Sequence, residues 1–271
     1  MSTPLDEIAK LLGRIEAAGA FATRRTCGPQ NLHLEVEVVG LVSLPVSPAT
    51  ARKLCTVAQP ARYGYKEETR LDRKVRDTWE IPAKRLRIDE RRWAKTLAPR
   101  LDRIRRDLGL PQRCRLRAEL HNLLIYERGQ FFAPPHQDSE KAQDMLGTLV
   151  VILPSRFTGG ELVIEHQGEQ ETVRGSPRQF TFAAFYADCH HEVRPVRSGH
   201  RLALTYNLIA EGITDAAVPE SIGALSARIR RFFDTPMPGY LTGTERGPPD
   251  RLVYLLDHEY TPHSLAWSRL N

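Results

Sequence analysis

From residue 115 to residue 209 the sequence is a succession of short β-branched and aromatic runs, each cut off by a turn signal. The runs include Leu123-Leu124-Ile125-Tyr126, Thr148-Leu149-Val150-Val151-Ile152-Leu153, Glu161-Leu162-Val163-Ile164 and Arg201-Leu202-Ala203-Leu204-Thr205-Tyr206. The breaks are Arg128-Gly129, Thr158-Gly159-Gly160, Gln167-Gly168 and Ser198-Gly199. Closely spaced strands separated by turns argue for an all-β sandwich or jelly roll.

The flanks read differently. Thr3 is a candidate N-cap with Pro4 at the first helical position, and Leu5, Ile8, Leu11, Leu12 and Ile15 supply one apolar face. Strict alternation over 32–38 predicts a half-buried strand, and Ser47-Pro48 starts a helix running to about Val57. Residues 62–84 are polar and loop-like, ending in a strand candidate at Thr78-Trp79-Glu80-Ile81. Trp93, Leu97, Leu101, Ile104 and Leu108 recur at helical spacing, as do Ile222, Leu225, Ile229 and Phe232. Residues 252–256 are a last strand candidate, and Thr261-Pro262 looks like a helix start. Only nine residues follow it, which points to a frayed end or a chain shorter than its gene. The fold class expected is therefore mainly β with flanking helices. Residues 1–114 form an N-terminal region that buttresses a β core over 115–210, and 211–271 form a C-terminal extension.

Composition excludes several classes. A chain of 271 residues with 41% hydrophobic and 27% charged residues is ordinary globular material. No apolar run approaches the roughly 18 residues of a membrane span, and the first residues lack the pattern of a signal peptide. Four scattered cysteines with no CxxC pair argue against a disulfide framework or a cysteine zinc motif, and for a reducing, cytoplasmic home. The net charge of +6 is local: residues 62–117 hold 19 Lys/Arg against 9 Asp/Glu. Such a block suits nucleic acid, or simply a solvated helix face, and the amphipathic pattern favours the solvated face.

One constellation carries chemistry: His136-Gln137-Asp138, then His191, then Arg201. An HxD pair on an extended segment points both side chains to one face, since strand side chains alternate with period two. A further imidazole from a distant strand completes two histidines and a carboxylate, the facial triad of non-haem iron(II) oxygenases. His190 and His191 face opposite sides of a strand, so only one can ligate, and the His-x-x-x-Pro-Val register favours His191. Ten residues on, Arg201 shares the phase of His191 if the intervening turn preserves it, and its guanidinium suits a carboxylate.

These segments, with Tyr126-Glu127-Arg128-Gly129-Gln130-Phe131-Phe132, Thr158-Gly159-Gly160-Glu161-Leu162 and His191-Glu192-Val193-x-Pro195-Val196-x-x-Gly199-x-Arg201, resemble the prolyl-4-hydroxylase-type Fe(II)/2-oxoglutarate dioxygenases. The likeness covers roughly residues 75–210, and Asp144-Met145-Leu146-Gly147-Thr148-Leu149-Val150 is closer to an uncharacterised microbial and fungal branch than to the collagen enzymes. It implies a double-stranded β-helix core, with His136, Asp138 and His191 as iron ligands and no catalytic residue beyond them. Arg201 is then the acceptor for the far carboxylate of 2-oxoglutarate. Tyr126 and Thr205 match residues of the co-substrate pocket, and Ile152 stands where relatives often carry a second tyrosine. Fe(II), 2-oxoglutarate and O2 are the implied cofactors, with ascorbate a candidate reductant. The resemblance also implies a protein or peptide substrate, prolyl first. Asp138 argues for hydroxylation over halogenation.

Two other readings stand beside it. A nucleic-acid demethylating dioxygenase usually carries a second arginine six residues after the first, where this chain has Asn207. A catalytically silent β-helix module has no need to keep the triad and Arg201 together. Arg76 and Trp79 resemble a segment bordering the substrate entrance, but an ordinary half-buried edge strand is the preferred reading. His166 reads as surface, Cys189 as packing, and Glu192 as solvated or as an orienting partner of an imidazole.

Overall fold

The computed structural model describes residues 4–12, 19–28, 32–65, 68–136, 145–211, 220–238 and 245–253. It divides into two compact units, Met1–Ala18 with Thr214–Asn271, and Gly19–Ile213. The smaller unit pairs helix α1 (Pro4–Leu12) with helix α4 (Glu220–Asp234). Ile8 and Phe232 are buried, and Arg228 Nη1 lies 3.2 Å from Glu7 Oε2. Thr3, Ile15 and the helix start at Thr261-Pro262 lie outside the described residues. Of the strand expected over 252–256, only Leu252 and Val253 are described, and they are irregular.

The larger unit is built on two antiparallel sheets. The strands that matter are β1 (Ala22–Cys27), β2 (Gln59–Pro60), β3 (Arg76–Asp77), β4 (Trp79–Pro82), β5 (Arg115–Tyr126), β6 (Phe131–His136) and β7 (Met145–Ile152). They continue as β8 (Phe157–Gly159), β9 (Leu162–His166), β10 (Glu169–Val173), β11 (Phe180–Tyr186), β12 (His190–Val193), β13 (Val196–Gly199) and β14 (Arg201–Glu211). The large sheet runs β1-β11-β7-β14-β5-β4-β2, and the small sheet runs β10-β9-β12-β6-β3. From β5 onward the chain passes back and forth between them, with β8 and β13 pairing as a separate ribbon. This is the jelly roll of a double-stranded β-helix.

Sequence alternation assigns each residue of the large sheet to one of two cores. Leu123, Ile125, Leu149, Val151, Phe180, Phe182, Leu202 and Leu204 join one apolar cluster with the helices. Their neighbours Leu124, Tyr126, Val150, Ile152, Ala183, Phe185 and Ala203 join another, with Phe132, Leu162, Ile164 and Val193 of the small sheet. A sheet covered on both faces needs continuous apolar runs, which is why these strands read as such.

Two helices back the first face. Helix α2 (Pro48–Val57) is capped by Ser47, whose Oγ accepts from the Thr50 amide at 3.1 Å, with Pro48 opening its first turn. Helix α3 (Glu90–Asp107) is capped by Asp89, which accepts from the Arg92 amide at 3.0 Å. Its stripe of Trp93, Leu97, Ile104 and Leu108 is buried. The Trp93 ring stacks on Phe182, and its Nε1–H donates to Tyr206 Oη at 3.0 Å. Arg91, Arg92, Arg103 and Arg106 stay exposed, as a solvated face requires. Arg105 differs: it is 8% exposed and caps the helix end by donating to the carbonyls of Leu110 and Pro111. Among the described residues no helix is long and apolar enough to cross a membrane.

Two strand expectations need correction. The alternating run over 32–38 is cut to Leu34–Val36, because the chain turns at Val38, whose φ is +73°, and returns as Gly40–Val42. Alternation continued through the turn and hid it. The Trp79 strand is not an edge: β4 lies between β5 and β2.

Candidate metal centre and co-substrate pocket

His136 closes β6 and His191 lies on β12, directly opposite each other in antiparallel register. Their ring centroids are 4.2 Å apart, so two imidazoles from sequence-distant strands converge on one point. Phe132 packs on the His136 ring at 3.5 Å and Phe185 on the His191 ring at 4.7 Å, fixing both imidazoles from behind. His191 Nδ1 lies 3.2 Å from the Cys189 carbonyl. A proton on Nδ1 donated to that carbonyl makes Nε2 the basic nitrogen, the form a metal ligand needs. His190, the residue before it on β12, points the other way and is exposed. Asp138 lies outside the described residues.

Arg201 opens β14 and pairs across the ladder with Tyr126, the last residue of β5. It is 1% exposed, with its guanidinium carbon 5.1 Å from the centre of the Tyr126 ring. Its Nε and Nη2 are buried with no hydrogen-bond partner among the described residues. Burial therefore pulls the guanidinium pKa below its ordinary value, with the Tyr126 hydroxyl opposing. A buried cation in this state is costly until an anion meets it. The donors present suit a carboxylate at that point.

Gly160 explains the TGG segment. Its φ is +65°, and a Cβ there would lie 2.9 Å from Arg201 Cδ and 2.9 Å from Val196 Cγ2. Only glycine lets the β8–β9 turn close over the arginine stem.

The same-face argument linking His191 to Arg201 needs revision. The two residues stand on different sheets, His191 on the small one and Arg201 on the large one, with the β13 ribbon between them in sequence. His191 packs on Phe185 and Arg201 on Tyr126, both members of the second apolar cluster, so the two residues border one interior from opposite sheets rather than along one face. Thr205 lies on β14 opposite Val150, and its hydroxyl donates to Asn122 Oδ1 at 2.5 Å. Its proton is committed to Asn122, leaving the oxygen only as an acceptor. Ile152 is fully buried in the same interior.

The remaining candidates take ordinary places. Trp79 Nε1 donates to Glu127 Oε2 at 2.7 Å, and Arg76 sits 4.5 Å from the Phe132 ring centre while donating to the Arg62 carbonyl. Glu192 faces Arg194 at 3.5 Å, and His166 is half-buried against Phe21 and Asp188. Cys189 is fully buried, as packing requires. The wall role of Phe132 and Phe185 was not read from the sequence, although Phe132 stands four residues before His136, on the same strand.

Comparisons with known proteins bear on this arrangement. Residues 121–209 match the family model of the 2OG-Fe(II) oxygenase superfamily. No curated protein sequence matches the chain. Solved structures similar to it include an oxidoreductase of the 2OG-Fe(II) oxygenase family from Burkholderia pseudomallei, 18% identical, covering 76% of this chain and 91% of that one, with a TM-score of 0.39. Another is a prolyl-4-hydroxylase from Pseudomonas putida, 16% identical, covering 76% of this chain and 100% of that one, with a TM-score of 0.41. A third is a prolyl hydroxylase from Trichoplax adhaerens in complex with a hypoxia inducible factor peptide fragment, 14% identical, covering 76% and 90%, with a TM-score of 0.41. Both histidines, Asp138 and Arg201 lie inside residues 121–209, the segment that is similar to the 2OG-Fe(II) oxygenase superfamily.

Proposed function

We propose that this chain hydroxylates a C–H bond of a peptidyl substrate, prolyl in type, with succinate and CO2 as co-products. The observation that carries the reading is the pair of opposed imidazoles together with a buried guanidinium, two of whose nitrogens have no hydrogen-bond partner among the described residues. The prolyl-type segments around Tyr126 and His191 support the peptidyl substrate.

In this reading His136, Asp138 and His191 hold Fe(II), and Arg201 binds the distal carboxylate of 2-oxoglutarate. Iron with 2-oxoglutarate supplies the activation of O2 and the oxidising power for the C–H bond. The protein supplies position and dryness. Phe132 and Phe185 hold the imidazole planes, so the metal meets ligands that need not reorganise. Arg201, desolvated before the co-substrate arrives, grips a carboxylate more strongly than a solvated arginine could. Tyr126 covers one side of the guanidinium, and Gly160 allows the turn to close on the other.

The test is succinate formed from 2-oxoglutarate under air with added Fe(II), first without substrate and then with proline-containing peptides. Slow iron-dependent succinate is expected from the wild type, stimulated by a suitable peptide and reduced to background in His136→Ala and His191→Ala. Wild-type turnover that these variants leave unchanged would refute the assignment.

A further inference from the structure

The larger unit assembles a separate group of metal-binding side chains from three distant stretches: Cys55 in the last turn of α2, Glu127 just past β5, and His200 just before β14. One donor atom of each lies within 4.8 Å of the other two. Tyr126 and Arg201 form the last rung of the β5–β14 ladder, so Glu127 and His200 are the next residues on the two chains. Period-two alternation sends their side chains to the opposite side from Tyr126 and Arg201, where Cys55 packs against the helix-backed core.

The one close pair has the spacing of ligands rather than of a hydrogen bond. His200 Nε2 and Glu127 Oε1 stand 3.6 Å apart, too far to share a proton. Ligand atoms on a tetrahedral zinc ion, with bonds of about 2.0–2.3 Å, are separated by about 3.3–3.6 Å. The Trp79 indole holds the other carboxylate oxygen at 2.7 Å, aiming Glu127 from behind. Burial, and then the Glu127 charge, push the Cys55 thiol up to about 12. A thiol facing a carboxylate is poorly placed without a cation, and a divalent ion would satisfy both.

We propose that Cys55, Glu127 and His200 bind a soft divalent cation, zinc, at a three-ligand site behind the co-substrate arginine and distinct from the iron centre. Thiolate and imidazole select zinc over hard cations, and solvent fills the fourth position. Binding releases the thiol proton to solvent. The ion ties α2 to the two chain segments that flank Tyr126 and Arg201. The ligands are 72 and 73 residues apart, so no local motif announces them.

Cobalt(II) is the direct probe, because the iron centre contains no thiolate. The metal-stripped full chain titrated with cobalt should develop a near-ultraviolet sulfur-to-cobalt charge-transfer band. That band should disappear in Cys55→Ser and weaken in His200→Gln, each checked for a wild-type circular dichroism spectrum. Zinc titrated against a chromophoric chelator should show about one tightly held equivalent that survives His136→Ala/His191→Ala and is lost on adding Cys55→Ser. Absence of the band, its persistence in Cys55→Ser through Cys189 or another thiol, or no zinc held by the double variant would each overturn the proposal.

Discussion

The two faces of the large sheet are made of the same strands and obey different rules. On the helix-backed face, Phe180, Phe182, Leu149 and Leu204 pack with Trp93 and Leu97, and the polar tip of Trp93 meets Tyr206. On the face toward the small sheet, Arg201 is just as buried yet lacks hydrogen bonds at two nitrogens among the described residues, and His191 faces the same interior from the small sheet. The first face lowers the free energy of the fold; the second raises it to keep a cation and imidazoles dry. The lesson is a division of labour by strand parity, in which neighbouring residues of one strand serve opposite ends.

Substitutions can break that division. The largest effect falls on the first face: Phe182→Ala should cost about 3–5 kcal/mol in urea unfolding, while the remaining folded protein keeps its affinity for 2-oxoglutarate. A loss of affinity without a loss of stability would place function on the wrong face. Arg201→Met should do the reverse. It should weaken 2-oxoglutarate about ten- to a hundredfold, since hydrogen bonds to a charged group contribute about 1.5–3 kcal/mol, and leave the unliganded fold as stable or more so. A marked fall in unliganded stability would show that the arginine has a structural partner.

Gly160→Ala comes next. The left-handed backbone costs about 1–2 kcal/mol with a side chain, and the added methyl meets the Arg201 stem, so stability and 2-oxoglutarate affinity should fall together. Affinity left at the wild-type level would disprove the contact. A last effect is alkaline. Burial pushes Cys55 and Cys189 from an ordinary 9.0 up to about 12, so their folded pKa values exceed the unfolded ones. Stability from this source is complete below pH 9.0 and declines as pH rises toward about 12, because the unfolded chain gives up these protons first. Urea midpoints across that range should fall less steeply in Cys189→Ala; an unchanged slope would remove the thiol from the account.

Much of this was legible in the sequence. The strand runs after residue 115, the Ser47-Pro48 helix start and the Trp93 stripe all depend on local periodicity, and the fold follows them. Strand parity said that His190 and His191 face opposite sides, and burial separates the two. What local pattern could not carry was long-range. Arg201 enters from the facing sheet, which no count of residues from His191 could reveal. The requirement for Gly160 became visible only when the arginine stem was in place, and the Val38 turn was masked by an alternation that happened to continue through it. Cys55, Glu127 and His200 meet only because a helix lies across the end of a ladder.

The central claim is that the two imidazoles and the buried arginine form one pocket for iron and 2-oxoglutarate. Calorimetric titration of 2-oxoglutarate into the anaerobic wild-type chain, with and without Fe(II), tests it most directly. The account predicts saturable binding that depends on iron, disappears in His191→Ala and weakens in Arg201→Met. Binding that is absent with iron present, or that neither substitution alters, would contradict it.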